Sequence, residues 1–176
     1  MIHNFNAQFY FAREKEGALD AIYRNYFKNV SSIERGLPLK REHYGIDSII
    51  HLDSGEQIRT QEKWRKREFT DDFLIEYCSV ERKGTCQKPG WIYHIYADYL
   101  FAVYEPSERV KVYPVVQLKL AWNEYSFDWI QQFSIPPARN DTYLTRNVAV
   151  PCNILENAIR EVMTFDYQRR LLGVVS

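Results

Sequence analysis

The sequence has few cysteines, and it lacks the spacing that would give them a function. Of the 176 residues three are cysteines (Cys78, Cys86 and Cys152), and no two of them form a CxxC pair. A zinc knuckle and a thioredoxin-like redox centre are therefore not supported. We expect reduced thiols in a cytoplasmic protein, with Cys78 buried in a strand.

Other absences exclude several enzyme classes. The four histidines are scattered without HxxxH spacing, which argues against a zinc hydrolase. The chain has no GxSxG, P-loop or GxGxxG motif, so a serine hydrolase, a nucleoside triphosphatase or a dinucleotide enzyme is not indicated. No apolar run approaches the roughly 20 residues that cross a bilayer, and the N-terminal residues do not resemble a signal peptide. We expect one soluble cytoplasmic domain over residues 1–176 and no membrane partner.

The charges balance: 23 lysines and arginines against 23 aspartates and glutamates. A net charge of zero argues against a uniformly basic surface for packaging DNA, but it does not exclude a local basic strip. Aromatic residues make up 15% of the chain and hydrophobic residues 45%, a composition typical of a globular protein.

Helical periodicity lies near both ends of the chain, with extended segments between. Residues 7–30 predict an amphipathic first helix, followed by a break at Arg35–Lys40, and a last helix is predicted from Cys152 onwards. The segments predicted between them are strands Ile46–Leu52, Glu56–Arg65, Asp72–Val80 and Ala97–Glu105, an extended segment Arg109–Trp122 interrupted at Pro114, a short helix Ser126–Phe133, and a short strand at 147–151. This order predicts an α/β or α+β domain around a mixed sheet, flanked by helices.

The first two strands form a predicted hairpin that carries the candidate chemistry. Asp47 lies at the start of the first strand, and Gln61 and Lys63 are two residues apart on the second, so alternation places them on one face. Glu62 lies between them and points to the other face in an ideal strand. A cluster of oxygen ligands beside a cation is what metal-dependent cleavage of a phosphodiester requires.

This hairpin, with "QEK" at Gln61–Lys63 after Asp47, resembles the active-site motif of the PD-(D/E)xK nuclease superfamily, in which an acid is followed by acid-x-lysine. The segment Pro89–Tyr104, "PGWIYHIYADYLFAVY", looks like that of some small phage and bacterial members. The resemblance implies a restriction-endonuclease-like core and an Mg²⁺- or Mn²⁺-dependent endonuclease that hydrolyses DNA. It also allows a homodimer.

The resemblance implies catalytic roles for Asp47, Gln61, Glu62 and Lys63, and metal ligation by Asp47, Gln61 and, from the first helix, Asp20. Gln61 stands where the family has an acid. Gln61 then ligates through its carbonyl oxygen, or Glu62 reaches the site through a local bulge, or catalysis has been lost.

A basic strip flanks Lys63, with Arg59 before it and Trp64–Arg67 after it. Its members are expected to hold phosphates, with the tryptophan stacking on a base or packing in the core: Arg59, Trp64, Arg65, Lys66 and Arg67. Two alternatives to a nuclease remain. One is a catalytically inactive module of the same fold that binds nucleic acid or protein, and the other is a small interaction protein with no nucleic-acid role.

Overall fold

A computed structural model describes residues 17–36, 44–66 and 71–163. The helices in these residues are α1 (17–26), α2 (Trp91–His94), α3 (Val115–Phe133) and α4 (Cys152–Met163). The strands are β1 (Val30–Glu34), β2 (Ser48–Leu52), β3 (Gln57–Arg65), β4 (Asp72–Arg82), β5 (Thr85–Pro89), β6 (Tyr99–Tyr104), β7 (Arg109–Pro114), β8 (Ala138–Arg139) and β9 (Leu144–Pro151). The predictions for residues 7–16 and 37–40 lie outside the described residues.

The strands form two sheets flanked by helices, in a mixed α+β architecture. The first sheet has the order β1-β2-β3-β6-β7 and the second the order β5-β4-β9-β8. Within the described residues β3 and β6 pair in parallel and the other strand pairs are antiparallel. A parallel pair needs a crossover connection, and here β4, β5 and α2 lie in the chain between β3 and β6. We call these three elements the crossover connection.

Strand β6 is buried on both faces and joins two hydrophobic cores. Leu100, Ala102 and Tyr104 belong to the larger core, which also takes residues from β4, β9, α3 and α4. Phe101 and Val103 belong to the smaller core, which lies beneath α1. A near-continuous apolar strand is typical of the centre of a covered sheet. Because β3 pairs with β6, the alternation along β6 also shows which face of β3 lies on the side of each core.

The segment after Pro114 differs from its prediction. An extended segment interrupted at Pro114 was expected within Arg109–Trp122, but Pro114 ends β7 and α3 begins at the next residue. Val115, Leu118 and Trp122 are buried at helical spacing, so this apolar segment packs as one helix face. The predicted short helix at Ser126–Phe133 is the second part of α3. No helix in the described ranges has both the length and the apolar character to cross a bilayer.

Three strands were not predicted, and the strands divide between two sheets. β1 follows α1 directly, and β5 and β8 occupy segments that read as loops. β4 does not pair with β3; it pairs with β5 and β9 in the second sheet.

The expectation of three reduced thiols is wrong. Cys78 on β4 and Cys86 on β5 form a disulfide, and the buried Cys152 is free. The sequence separation of 8 residues spans the turn between two paired strands. The disulfide therefore joins the two strands of the crossover connection, which the short spacing alone did not indicate.

Reducing the disulfide is expected to lower the free energy of unfolding by about 2.5 kcal/mol, because the cross-link restricts the unfolded chain. Urea unfolding with and without dithiothreitol measures this difference. Cys86→Ser should unfold at the lower midpoint and should not respond to the reductant. An unchanged midpoint for the wild type after verified reduction would contradict the prediction.

Candidate active site

The hairpin of β2 and β3 positions the candidate site, and its short turn sets the register of the strands. Gly55 in the turn has φ +86°, a conformation that favours glycine. Ser48 lies opposite Thr60, and the Asp47 amide donates to the Thr60 carbonyl at 2.8 Å. Continuing the register by one residue places Asp47 beside Gln61, and cross-strand neighbours share a face.

The Asp47 carboxylate has a fixed orientation. Its Oδ2 accepts a hydrogen bond from the backbone amide of Glu62 at 2.7 Å. Asp47 itself is exposed. The hairpin therefore holds a carboxylate in a fixed position beside Gln61.

Gln61 is buried, with 4% of its surface exposed, and its Oε1 has no hydrogen-bond partner among the described residues. A buried acceptor without a partner costs about 1–3 kcal/mol, so its presence needs an explanation. Gly45, at φ +62°, lies against this side chain, and a Cβ built there would be 2.8 Å from Gln61 Nε2. A glycine at position 45 therefore leaves room for the Gln61 amide.

Lys63 lies on the same face as Gln61 and is partly buried. Its Nζ is 5.2 Å from the centroid of the Trp91 ring. Burial lowers the pKa of Lys63, and the negative charges of Asp47 and Glu76 act in the opposite direction. The amine is thus held between an aromatic ring and two carboxylates that favour its protonated form.

Gln61 and Lys63 open into a cleft of about 500 Å³, which we call the β3 cleft. One wall comes from the hairpin and the segment before it, and the other comes from the crossover connection. The lining residues are Gly45, Gln61, Lys63, Ser79, Lys88, Pro89, Trp91 and His94. The cleft therefore contains the candidate catalytic amine of Lys63, a second basic side chain, Lys88, and the aromatic ring of Trp91.

The opposite face of β3 carries a polar network centred on Glu62. Its Oε1 accepts hydrogen bonds from Tyr23 Oη (2.6 Å), Arg35 Nη1 (2.9 Å) and Ser48 Oγ (2.9 Å). Arg35 also forms an ion pair with Asp20 at 2.7 Å. Although burial acts to lower the pKa of Arg35, hydrogen bonding to Asp20 and the charge of Glu62 raise it overall. The network connects α1, β2, β3 and the segment after β1.

The predicted roles of Glu62 and Asp20 in the metal site do not agree with their positions. Both side chains bind Arg35 on the α1 side of β3, whereas Gln61 and Lys63 face the cleft. The bulge that would turn Glu62 into the site is absent, since β3 and β6 pair without a shift from Thr60 to Arg65. Strand alternation thus separates them from Asp47, Gln61 and Lys63.

Two of the three arginines of the predicted phosphate-binding strip, Arg59 and Arg65, form ion pairs. Arg59 binds Asp98 through its side chain and its amide, with Nη2 2.6 Å from Oδ1, and hydrogen bonding to Asp98 raises the pKa of Arg59. Arg65 binds Asp72 at 2.8 Å, and this pair is mostly buried. Arg65 is therefore a structural residue, while the exposed Arg59 lines a separate groove with Asp98.

The remaining members of the strip have different environments. Trp64 packs against the smaller core beneath α1, so its ring does not face the cleft. Lys66 is exposed at the end of β3. Arg67 lies outside the described residues. The predicted strip is thus not a continuous phosphate-binding surface within the part of the chain that the structure describes.

Gln61 in the cleft and the neighbouring Asp47 fit a hard cation such as Mg²⁺. No group of three or more His, Cys, Asp and Glu side chains able to hold a metal occurs in the described ranges. Mg²⁺, however, uses one or two carboxylates and completes its shell with water and substrate phosphates. The Asp47 carboxylate and the unpartnered Gln61 Oε1 are oxygen donors of this kind.

Sequence reasoning missed the wall of the cleft that the crossover connection forms. Trp91 and His94 lie inside the segment that carried the family resemblance, which was the one available signal. Ser79, Lys88 and Glu76 showed no pattern that distinguished them from an ordinary strand or loop. Their approach to Lys63 depends on how the crossover connection folds back over β3.

Comparison with solved structures finds a bacterial homing endonuclease that is 20% identical, with a TM-score of 0.34. The match covers 48% of this chain and 55% of that chain, so this chain spans only about half of the matched structure. No protein-family model matches the sequence. No curated protein matches it either.

Proposed function

We propose that the β3 cleft hydrolyses phosphodiester bonds in DNA as a metal-dependent endonuclease. The observation that carries the proposal is Gln61 Oε1, a buried acceptor without a described partner, on the same face as Asp47 and Lys63. An oxygen donor and an amine that line one cleft, with a carboxylate on the neighbouring strand beside them, are the groups that this reaction needs.

Each of these side chains has a role in the proposed reaction. Asp47 and Gln61 would hold Mg²⁺ or Mn²⁺, which supplies positive charge next to the scissile phosphate and lowers the pKa of bound water. Attack by water would form the new bond to phosphorus as the bond to the leaving oxygen breaks, and the proton that the water loses would pass through solvent to the leaving oxygen. The protonated amine of Lys63 orients the water and donates to the phosphate oxygens as their negative charge grows. Lys88 extends the positive charge along the cleft to a neighbouring phosphate.

The test is cleavage of supercoiled plasmid, linear duplex, single-stranded and branched DNA, with Mg²⁺ or Mn²⁺ against EDTA. We expect cleavage with metal and none with EDTA. Asp47→Asn should reduce the rate by at least about 100-fold, since it removes the carboxylate ligand. Asp53→Asn removes the same charge from the exposed hairpin turn and should cleave like the wild type.

A neutral Gln61 also fits a module that binds nucleic acid without cleaving it, because a carboxylate at this position would hold a metal more strongly. Salt-dependent DNA binding by a folded protein that cleaves none of the four substrates would favour that function. Equal cleavage by Asp47→Asn and the wild type would reject the proposed site.

A further inference from the structure

Three tyrosines are exposed beside the β3 cleft. The exposed fractions are 53% for Tyr44, 44% for Tyr93 and 53% for Tyr96. Tyr44 precedes Gly45, and Tyr93 and Tyr96 lie before and after His94 in the sequence. All three are therefore close in sequence to residues that line the cleft. A group of large exposed aromatic side chains indicates a binding surface more than single exposed residues do.

Tyr44 and Tyr96 are held together as a unit. Their ring centroids are 5.4 Å apart with an interplanar angle of 89°. The Tyr96 amide donates to the Tyr44 carbonyl at 2.9 Å, which joins the backbone before Gly45 to the backbone after α2. The rings are therefore positioned before any ligand arrives, and an ordered aromatic surface loses little entropy on binding.

Lysine side chains lie near these rings. Lys119 on α3 has its Nζ 5.2 Å from the centroid of Tyr96, and it donates to the Ile95 carbonyl at 3.5 Å. Lys88 and Lys63 line the adjoining cleft. Aromatic faces interleaved with cations are the arrangement that binds single-stranded nucleic acid, where bases stack and phosphates meet the charges.

We propose that Tyr44 and Tyr96 form a platform that stacks unpaired bases of a DNA strand entering the β3 cleft. The assignment of the cleft as the site of cleavage rests on the proposed function. Bases within a duplex are covered by their neighbours, so a tyrosine reaches a base face only where the strand is single or frayed. The substrate class is thus DNA with an unpaired segment next to the scissile bond.

The experiment measures binding in EDTA, which separates it from cleavage. A fluorescein-labelled single-stranded oligonucleotide and the blunt duplex of the same sequence are titrated with the full chain and followed by anisotropy. We expect single-stranded DNA to bind more tightly than duplex. Tyr44→Ala and Tyr96→Ala should each weaken single-strand binding by about 5- to 100-fold, the range for loss of one stacked base.

Two control variants isolate stacking. Tyr96→Phe keeps the ring and should keep wild-type affinity and the same dependence on salt. Phe127→Ala removes an aromatic side chain that is 73% exposed on α3, and it should not change binding. Thermal unfolding of every variant confirms that the protein used is folded.

The proposal is overturned if both alanine variants bind single-stranded DNA like the wild type, if they weaken duplex binding equally, or if the folded wild type binds no oligonucleotide. Single-strand binding that depends on Tyr44 and Tyr96, without cleavage in Mg²⁺, would support the platform and reject the nuclease. Metal-dependent cleavage together with unchanged single-strand affinity in Tyr44→Ala and Tyr96→Ala would support the nuclease and reject the platform.

Discussion

Lys63→Ala is expected to lower the rate of metal-dependent cleavage by about 10²- to 10³-fold, the effect of removing one pre-positioned donor from developing charge. The amine lies on the cleft face of β3, and burial has already removed part of its water. Its charge is therefore more effective in this site than it is in bulk solvent. Single-turnover cleavage, with the protein saturating and in excess over DNA, measures the loss directly.

The fold should tolerate the Lys63→Ala change, because the side chain stacks on Trp91 and does not belong to either core. Lys28→Ala, which removes an exposed lysine outside the cleft, serves as the matched control and should cleave normally. Cleavage by Lys63→Ala at the wild-type rate would show that the reaction does not use this amine. Binding of DNA in EDTA by the same variant then separates lost chemistry from lost affinity.

Glu62→Ala is expected to lower the free energy of unfolding by about 3 kcal/mol, since it leaves Arg35 partly buried with one of its two carboxylate partners. Tyr23 also loses its acceptor at 2.6 Å. The predicted loss is at the lower end of the range for broken buried pairs because Asp20 still neutralises Arg35. Urea unfolding followed by circular dichroism measures the change.

Glu62→Gln keeps a side-chain oxygen but removes the charge, so its loss of stability should lie between those of the wild type and Glu62→Ala. Glu56→Ala, on the exposed end of the same hairpin, should change stability by less than about 0.5 kcal/mol. If Glu62→Ala loses less than about 1 kcal/mol, the network does not hold α1 to the sheet as its geometry implies.

The hairpin was predictable from the sequence because its information is local. A two-residue period put Gln61 and Lys63 on one face and Glu62 on the other, and the turn at Gly55 set which residue lies opposite Asp47. The helical character of residues 115–122 was missed because this short, mostly apolar segment begins with two valines and follows a strand. Short apolar runs are ambiguous between strand and helix, and here the packing of α3 against the larger core decides.

The Glu62 network and the crossover wall were not predictable, because both depend on segments that are distant in the chain. Arg35 joins Asp20 and Glu62 only after α1 and β1 fold against β2. Trp91 lies against Lys63 because β6 pairs in parallel with β3. This pairing requires the crossover connection to pass back beside the cleft. The periodicity of a single segment does not predict a contact between segments that are distant in the chain.

The division of the cleft between the β2–β3 hairpin and the crossover connection affects which positions tolerate substitution. The groups assigned to the reaction sit on a hairpin held by two cores, whereas Lys88 sits on β5, whose five residues are all exposed. Apart from Cys86, which is held in the disulfide, substitutions on β5 disturb no buried packing, so they should be tolerated individually. Selection or engineering can thus alter which nucleic acid the cleft admits, one surface residue at a time, while the reactive hairpin keeps its geometry.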